Sequence, residues 1–172
     1  NKEKSRIQRS YGVQLNLEVV NGLKDKWGLK VGFPKGYNLV SETEDFSWIR
    51  YETKDISQNI LIYSLPYTEE NTFSKEGMET VVDQLCKMAV PGPDDGTFMS
   101  LYPDYPPMYE DASLAGNYAG KLTGLWTIEG ALMGGPYVSY AFLDAAEKRV
   151  YCLHGFVFSP GKKKRNYVRQ LD

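Results

Sequence analysis

Hydrophobic residues recur along the chain at two different spacings, and the spacing changes near residue 29. Before that point the apolar residues lie three or four positions apart, which is the spacing of one face of a helix. These residues are Val13, Leu17, Val20, Leu23 and Trp27. Gly28 follows them and suits the left-handed residue that ends many helices. The pattern predicts a helix within residues 1–28.

A hairpin turning at Asn21-Gly22 is the competing interpretation, because this dipeptide is a strong hairpin signal. Such a hairpin would place Val19 opposite Lys24 and would set Glu18 against Asp25, another acid. Cross-strand pairs of these kinds are unfavourable. We therefore favour the helix, although Gly22 lowers the local helix propensity.

From residue 29 onwards, apolar and polar residues alternate with the period of a strand. An almost continuous apolar run at 58–65 is typical of a central strand, buried on both faces. The alternation predicts further strands at 29–33, 38–42 and 45–53.

A second helix is predicted within residues 72–90, where apolar residues return to helical spacing. Its inward face would consist of Met78, Val81, Val82, Leu85 and Ala89. Ser74 is the expected N-cap, because its hydroxyl can accept a hydrogen bond from a free helix amide. Pro91-Gly92-Pro93 would stop the helix.

The last part of the chain predicts more strands and a short final helix. Strands are expected at 96–102, 117–130, 136–144 and 148–158, with a proline-rich loop at 103–116. The helix would carry Tyr167, Val168 and Leu171 on its apolar face.

This order of elements, namely helix, strands, helix, strands, helix, predicts an α+β fold with a largely antiparallel sheet flanked by helices. Short connections at 134–136 and 144–148 favour antiparallel neighbours, because parallel strands require long crossovers. We expect one domain, in which residues 1–28 supply the N-terminal helix and residues 29–172 form the α+β core. The chain opens at Asn1 without a signal peptide, and we interpret it as the C-terminal part of a longer precursor.

Composition and charge narrow the possible partners. The 172 residues are enough for one domain with a proper core, and they include 13 Tyr, 7 Phe and 3 Trp. Residues 1–10 carry a net charge of +3 and residues 162–172 carry +4, so the total of −2 leaves −9 for residues 11–161. An acidic body repels a polyanion over most of its surface, which argues against nucleic-acid binding.

Cys152 and His154, the only histidine, lie two residues apart and would project from the same face of the last long strand. A thiolate nucleophile needs a base within hydrogen-bonding reach, so a Cys–His dyad is one hypothesis. We favour the other, a histidine satisfied within the core, because Val150, Phe156 and Phe158 share that face. The spacing of these residues and Cys86 indicates no metal site, no cofactor is expected, and both thiols are expected to be free.

Gly134-Gly135-Pro136 is the most glycine-rich motif of the chain. A phosphate-binding loop would need a helix directly after the glycines, whereas this motif lies between two predicted strands. We therefore favour a hairpin or bulge that requires positive φ angles.

The stretch YPDYPPMYED, which runs from the end of the strand into the proline-rich loop, carries the best candidates for a binding site, namely Tyr102, Tyr105 and Tyr109. Exposed tyrosines on a stiff loop can stack on a sugar or contact a partner protein. The alternative, which we favour slightly, is that they fold back over one sheet face and cover the core.

Lys163, Lys164 and Arg165 follow Lys162 directly after Pro160-Gly161. They could bind an anionic group. However, consecutive lysines spread around the circumference of a helix, so a solvated first turn is the interpretation we favour.

Several stretches together resemble a known group of proteins. They include "FPKGYNLVSETEDFSWIRYET", "GLWTIEGALMGGPYVSY" and "GFVFSPGKKKRNYVRQL". The chain resembles, from about residue 12, the C-terminal part of an uncharacterised domain-of-unknown-function family of exported Bacteroidetes lipoproteins. The recurrent family positions matched here are Gly134-Gly135-Pro136, Trp126 and Lys163–Arg165, whereas Ala131-Leu132 and Ser159 vary from the family forms.

The resemblance implies a lipid-anchored protein of the cell envelope, in the periplasm or at the outer membrane. It implies contact with the membrane only through an N-terminal anchor that precedes this chain, and it implies no activity. The order of strands and helices is also similar to the PsbP-like fold, whose members are mostly non-catalytic accessory subunits.

Two functional hypotheses follow. The leading one is a non-catalytic envelope module that binds another envelope protein or a surface glycan, with Tyr102, Tyr105, Tyr109, Trp126 and the basic cluster as candidate contacts. The alternative is a hydrolase acting on envelope glycan or peptide, which would need two acids, or a Cys–His pair, in a concave pocket. No pair of acids stands out in the sequence, so we assign no catalytic residue.

Overall fold

The computed structural model describes residues 14–68, 70–114, 116–161, 168–169 and 171. Within these residues the elements follow the order helix, three strands, helix, five strands. The helices are α1 (Leu17–Trp27) and α2 (Lys75–Ala89), and a short 3-10 helix spans Glu70–Phe73. The strands are β1 (Tyr37–Thr43), β2 (Phe46–Glu52), β3 (Ser57–Pro66), β4 (Met99–Leu101), β5 (Met108–Leu114), β6 (Asn117–Ile128), β7 (Met133–Asp144) and β8 (Arg149–Phe158).

The eight strands form a single curled antiparallel sheet, in which six of them follow the order β1-β2-β3-β8-β7-β6. β4 and β5 both pair with β6, β4 along residues 126–128 and β5 along residues 117–123. The sheet therefore has β1 at one edge and β4 with β5 at the other. The predicted α+β class with an antiparallel sheet is confirmed.

The two helices pack on opposite faces of the sheet. The strand residues that each helix covers show this, since neighbouring side chains of a strand point to opposite faces. α2 covers the larger core, in which Leu61 and Cys152 are fully buried. α1 covers the smaller core through their sequence neighbours on the other face, Ile62 and Leu153. Each face thus has its own helix and its own hydrophobic cluster.

α1 begins one residue after Asn16, whose side chain accepts a hydrogen bond from the backbone N–H of Val19. It ends at Gly28, which adopts the predicted left-handed conformation with φ 65°. The helix interpretation is confirmed for the part that the structure describes. Its buried face is Val19, Leu23 and Trp27, however, and Leu17 is 54% exposed, so the predicted face was partly wrong.

α2 follows the prediction closely. Ser74 is its N-cap, and the hydroxyl accepts a 3.0 Å hydrogen bond from the N–H of Gly77. The buried residues include the predicted Met78, Val82 and Leu85, together with Cys86. Cys86 therefore points into the core rather than to the surface.

Two predicted elements differ from the structure. Residues 29–33 form no strand, although Phe33 is buried, because this segment packs against α1 instead of pairing in the sheet. Conversely, β5 lies inside the predicted loop of residues 103–116. Only the part of that loop before Met108 contains prolines, and beyond them the chain pairs with β6.

The Gly134-Gly135-Pro136 motif lies inside β7, and neither glycine has a positive φ. The prediction of a positive-φ hairpin or bulge at these positions was wrong. A side chain on Gly135 would overlap the carbonyl oxygen of Val157 and lie 3.0 Å from the indole nitrogen of Trp126. The glycine is needed for close approach. The turn lies earlier, where Gly130 has φ 79°.

The end of the chain is described only in part. Val168, Arg169 and Leu171 are helical, and Leu171 lies against Gly155 of β8. Tyr167, which we placed on the same helix, lies outside the described residues. Within the described part of the chain, no helix combines the length and apolar character required to cross a membrane.

Candidate functional site

His154 lies at the centre of the sheet, fully buried under α2. Its Nδ1 and the hydroxyl oxygen of Ser139 share a 2.6 Å hydrogen bond, and its Nε2 lies 3.5 Å from the Sγ of Cys86. Ser139 is the direct cross-strand partner of His154 on β7, whereas Cys86 reaches the ring from α2. We call these three residues the histidine cluster.

The histidine cluster differs from the dyad considered in the sequence. His154 is hydrogen-bonded to Ser139 and Cys86, and Cys152 is not among its hydrogen-bond partners in the described residues. The reason is geometric: side chains two positions apart on a strand run parallel, while α2 and β7 approach the ring from above and from the side. Both cysteines are free thiols.

Burial controls the protonation of this cluster. It lowers the pKa of His154 to about 3, because a charged imidazolium would lose its hydration. It also raises the pKa of Cys152 to about 12 and moves the pKa of Cys86 well above its usual value. At neutral pH the imidazole is uncharged and the thiols are protonated. A cysteine nucleophile must be an accessible thiolate, and neither buried thiol meets that condition.

The ring of Tyr137 packs against the ring of His154 at a centroid distance of 5.2 Å and an interplanar angle of 38°. Its hydroxyl is buried and has no hydrogen-bond partner in the described structure. Gly124 provides the room for it, because a Cβ there would lie 2.9 Å from the hydroxyl oxygen. Burial raises the pKa of Tyr137, so the phenol stays protonated. The region around His154 is a polar inclusion in an apolar core.

The predicted tyrosines separate into two environments. Tyr102 and Tyr105 are exposed, and Tyr105 is 52% accessible. The backbone N–H of Tyr102 donates to the carbonyl of Leu125, and the N–H of Tyr105 donates to the carbonyl of Tyr102, which closes a turn after β4. This turn places both residues at the sheet edge.

Met108 and Leu125 lie next to this turn in the fold, since the carbonyl of Leu125 accepts from Tyr102 and Met108 begins β5 three residues after Tyr105. Met108 is opposite Thr123 in the β5–β6 register, and Leu125 is two residues along β6 on the same face. Met108 is 70% exposed, and Leu125 is also exposed. Tyr102, Tyr105, Met108 and Leu125 form a surface that we call the tyrosine patch.

Tyr109 projects from the other face of β5. It is half-buried against the larger core, and its hydroxyl donates a 2.7 Å hydrogen bond to the carbonyl of Phe73. The hydroxyl of Tyr118 lies 3.1 Å away and donates to Asp111. Tyr109 thus covers the core, as our alternative interpretation described, and lies away from the tyrosine patch.

Trp126 is 2% exposed and lies in the larger core. Its indole N–H donates to the carbonyl of Val157 over 3.2 Å, and its ring meets Phe156 edge-on. Its position is explained by packing of the motif around Gly135. Lys163, Lys164 and Arg165 lie outside the described residues.

A family model described as a domain of unknown function (DUF4837) matches residues 3–172. The chain belongs to this family. No curated protein matches it. Among solved structures, the DUF4837 domain is similar to the lipid transfer and protein localization domain of human StarD13 (DLC2), at 13% identity and a TM-score of 0.39. The alignment covers 91% of this chain and 89% of that one, and a similarity of this degree carries no functional argument.

The DUF4837 domain also has a groove that the sequence did not suggest to us. It lies between α1 and β1 and has a volume of about 260 Å³. Its lining includes Glu18 and Gly22 of α1 and Asn38 and Glu42 of β1. The one signal in the sequence was Gly22, a glycine at an otherwise unexplained position inside a helix.

Metal binding has no support in the described part of the DUF4837 domain. No group of three or more His, Cys, Asp and Glu side chains there is arranged to hold an ion.

Proposed function

We propose that this DUF4837 domain is a non-catalytic binding module of a lipid-anchored cell-envelope protein, and that its tyrosine patch contacts another envelope protein. The observation that carries the proposal is the patch itself: two tyrosines, a methionine and a leucine exposed together at one edge of the sheet. Exposed apolar groups of this kind, surrounded by polar residues, mark interaction surfaces.

The composition of the patch favours a protein partner. Tyrosine and methionine are enriched in the centre of protein interfaces. Pro103, Pro106 and Pro107 stiffen the turn that carries the two tyrosines, which reduces the conformational entropy lost on binding. The ion pair between Glu110 and Lys121 lies next to Met108 and would form part of a polar rim.

The place of this module in the envelope is supported by the resemblance of its motifs to exported lipoproteins. Within that proposal, contact with a membrane passes through an anchor outside this chain. The basic residues Lys163, Lys164 and Arg165 remain proposed secondary contacts, for an anionic group on the partner.

The hydrolase alternative receives less support from the geometry. The predicted Cys–His pair, Cys152 and His154, is buried, as is Cys86, the thiol that contacts His154 instead, and burial favours the neutral forms of all three. A substrate would have to displace α2 to reach them. Unchanged envelope turnover in cells that carry His154→Gln would agree with the binding module, whereas loss of a hydrolytic activity on a folded variant would restore the enzyme.

The proposal is tested with the full-length lipidated protein in its native envelope. A photo-crosslinking amino acid at Tyr105 is expected to capture a specific protein. The same amino acid at Leu132, which is 107% exposed and outside the patch, is the matched control. Capture at both positions, or at neither, would contradict the assignment of the patch.

A second arm uses the double variant Tyr105→Ser/Met108→Ser, with Leu132→Ser as control. Recovery of the partner in a pull-down is expected to fall at least about tenfold in the double variant, because exposed aromatic anchors contribute most to binding. If the double variant instead loses retention on envelope glycan while protein recovery is unchanged, the partner is a glycan and the proposed protein contact is wrong.

A further inference from the structure

The groove between α1 and β1 lies at the opposite edge of the sheet from the tyrosine patch, so it is a separate candidate site. Its volume of about 260 Å³ is below the range of roughly 300–1,000 Å³ found for small-molecule pockets. A groove of this size suits one or two side chains better than a cofactor.

Gly22 lies in the middle of α1 and lines the groove. Its φ is not positive, so the backbone does not require a glycine. A Cβ at this position would meet no atom within 4 Å, so packing does not require one either. Glycine is among the least favourable residues inside a helix. The fold gains nothing from Gly22, but the absence of a side chain keeps the groove open.

The polar groups around the groove offer acceptors. The ammonium of Lys26 is already used, since it donates to the carbonyls of Thr43 and Phe46 and pairs with Glu42 at 3.2 Å. The side-chain amide of Asn38 donates to the carbonyl of Gly36. The carboxylate of Glu18 has no hydrogen-bond or ion-pair partner within the described residues. A ligand that complements these groups must donate hydrogen bonds and carry positive charge.

β1 bounds the groove and is the last strand at this edge of the described sheet. Residues 38–43 of β1 are all exposed, including Leu39 and Val40. The carbonyls of its end residues, Tyr37 and Thr43, already accept from Asn16 and Lys26, so residues 38–42 are the part of β1 that can pair with an extended segment from another chain. The side chains of such a segment would alternate, and one set would point into the groove.

We propose that this groove binds an extended segment of a partner protein, paired along β1, through a lysine or arginine side chain. The aliphatic stem of that side chain packs on Leu39 and Leu23, next to Gly22, and its charged end is received by Glu18. This site is independent of the tyrosine patch.

The test uses the whole chain of 172 residues and two short peptides. One peptide alternates lysine and valine, and the other alternates glutamate and valine. In an NMR titration, the lysine peptide is expected to shift the amides of Gly22, Asn38 and Leu39, and the glutamate peptide is not. Equal shifts with both peptides, or shifts that map elsewhere on the acidic surface, would overturn the proposal.

Variants at adjacent positions of α1 separate groove binding from general attraction to the acidic body. Gly22→Leu is expected to abolish the shifts at β1, while Asn21→Leu, which adds the same residue at an exposed position outside the groove, retains them. Glu18→Gln is expected to weaken binding about tenfold. Circular dichroism confirms folding of each variant, and binding retained by Gly22→Leu would disprove the site. Failure of this test would not bear on the tyrosine patch, since none of the three variants changes it.

Discussion

The surroundings of His154 decide whether it is interpreted as a catalytic residue or as a core residue. An imidazole beside a thiol and a hydroxyl resembles a catalytic set when the residues are listed. Here the ring is fully buried, and its hydrogen bonds to Ser139 and Cys86 satisfy it inside the core. Its consequences therefore concern stability rather than nucleophilic chemistry.

The buried imidazole predicts a specific loss of stability in mild acid. The pKa of His154 is about 3 in the folded state and about 6.5 when unfolded. Below pH 6.5 the unfolded chain binds a proton that the folded protein does not. The free energy of unfolding therefore decreases as the pH is lowered from about 6.5 to about 3. Between pH 7 and pH 5 we expect a loss of about 2 kcal/mol from this group.

Urea unfolding at both pH values measures that loss. His154→Gln is the control, because His154 is the only histidine of the chain and the variant therefore has no imidazole to protonate. The variant is expected to be less stable at pH 7 but to lose much less between pH 7 and pH 5. An equal loss in both proteins would show that carboxylates, not His154, control the acid response.

Gly135 gives a second prediction at this scale. Gly135→Ala is expected to lower the free energy of unfolding by about 3 kcal/mol, because the new methyl group overlaps the carbonyl of Val157. The matched control is Gly22→Ala, where space is free and the better helix former is expected to add about 1 kcal/mol. Chemical denaturation measures both changes, and the same sign for both would contradict the argument.

At the scale of elements, the N-terminus of α1 depends on one side chain that acts twice. The Asn16 side chain caps the helix by accepting from Val19, and its amide donates a 2.8 Å hydrogen bond to the carbonyl of Tyr37. Asn16 thereby joins α1 to the start of β1 and fixes one end of the groove.

Substitutions at Asn16 separate these two roles. Asn16→Ala removes both interactions and is expected to cost about 2 kcal/mol, whereas Asn16→Ser keeps a capping oxygen and loses the amide donor, at about half that cost. Thermal or urea unfolding of both variants measures the difference. Equal effects would mean that only one of the two hydrogen bonds contributes to stability.

These elements also show what the sequence could predict. α2 and the central strands were predictable, because their apolar spacing and the Ser74 cap are local signals. β5 was not, because it is a mostly exposed edge strand that follows prolines and contains Glu110 and Asp111. Its pairing with β6 depends on a neighbour that only the folded sheet provides.

The candidate sites were less predictable than the fold for the same reason. Tyr102 and Tyr105 were suggested by composition, but their separation from Tyr109 follows from the alternation of β5, which the sequence did not predict. Cys86 and His154 are 68 residues apart, and only the packing of α2 on β8 brings them together. The groove likewise depends on the position of α1 relative to β1.

At the scale of the whole molecule, the sheet separates a well-packed centre from two edges that carry the proposed binding surfaces. β8 is paired on both sides, with β3 and with β7, and most of its residues are buried. β1 and β5 each pair on one side only within the described residues, and both are mostly exposed. Stability is therefore expected to fall from the centre of the sheet towards each edge.

Native-state hydrogen exchange tests this gradient and, with it, the condition on which the groove proposal depends. Amides of β8 and β3 are expected to exchange only through global unfolding, at a cost of about 5–15 kcal/mol for a domain of this kind. Amides on the outer edge of β1 are expected to exchange through local opening at far lower cost. If β1 is protected as strongly as β8, another part of the chain must cover this edge, and no strand is then free to pair with a partner. Fast exchange at β1 that slows when the lysine peptide is added would instead locate the added strand at that edge.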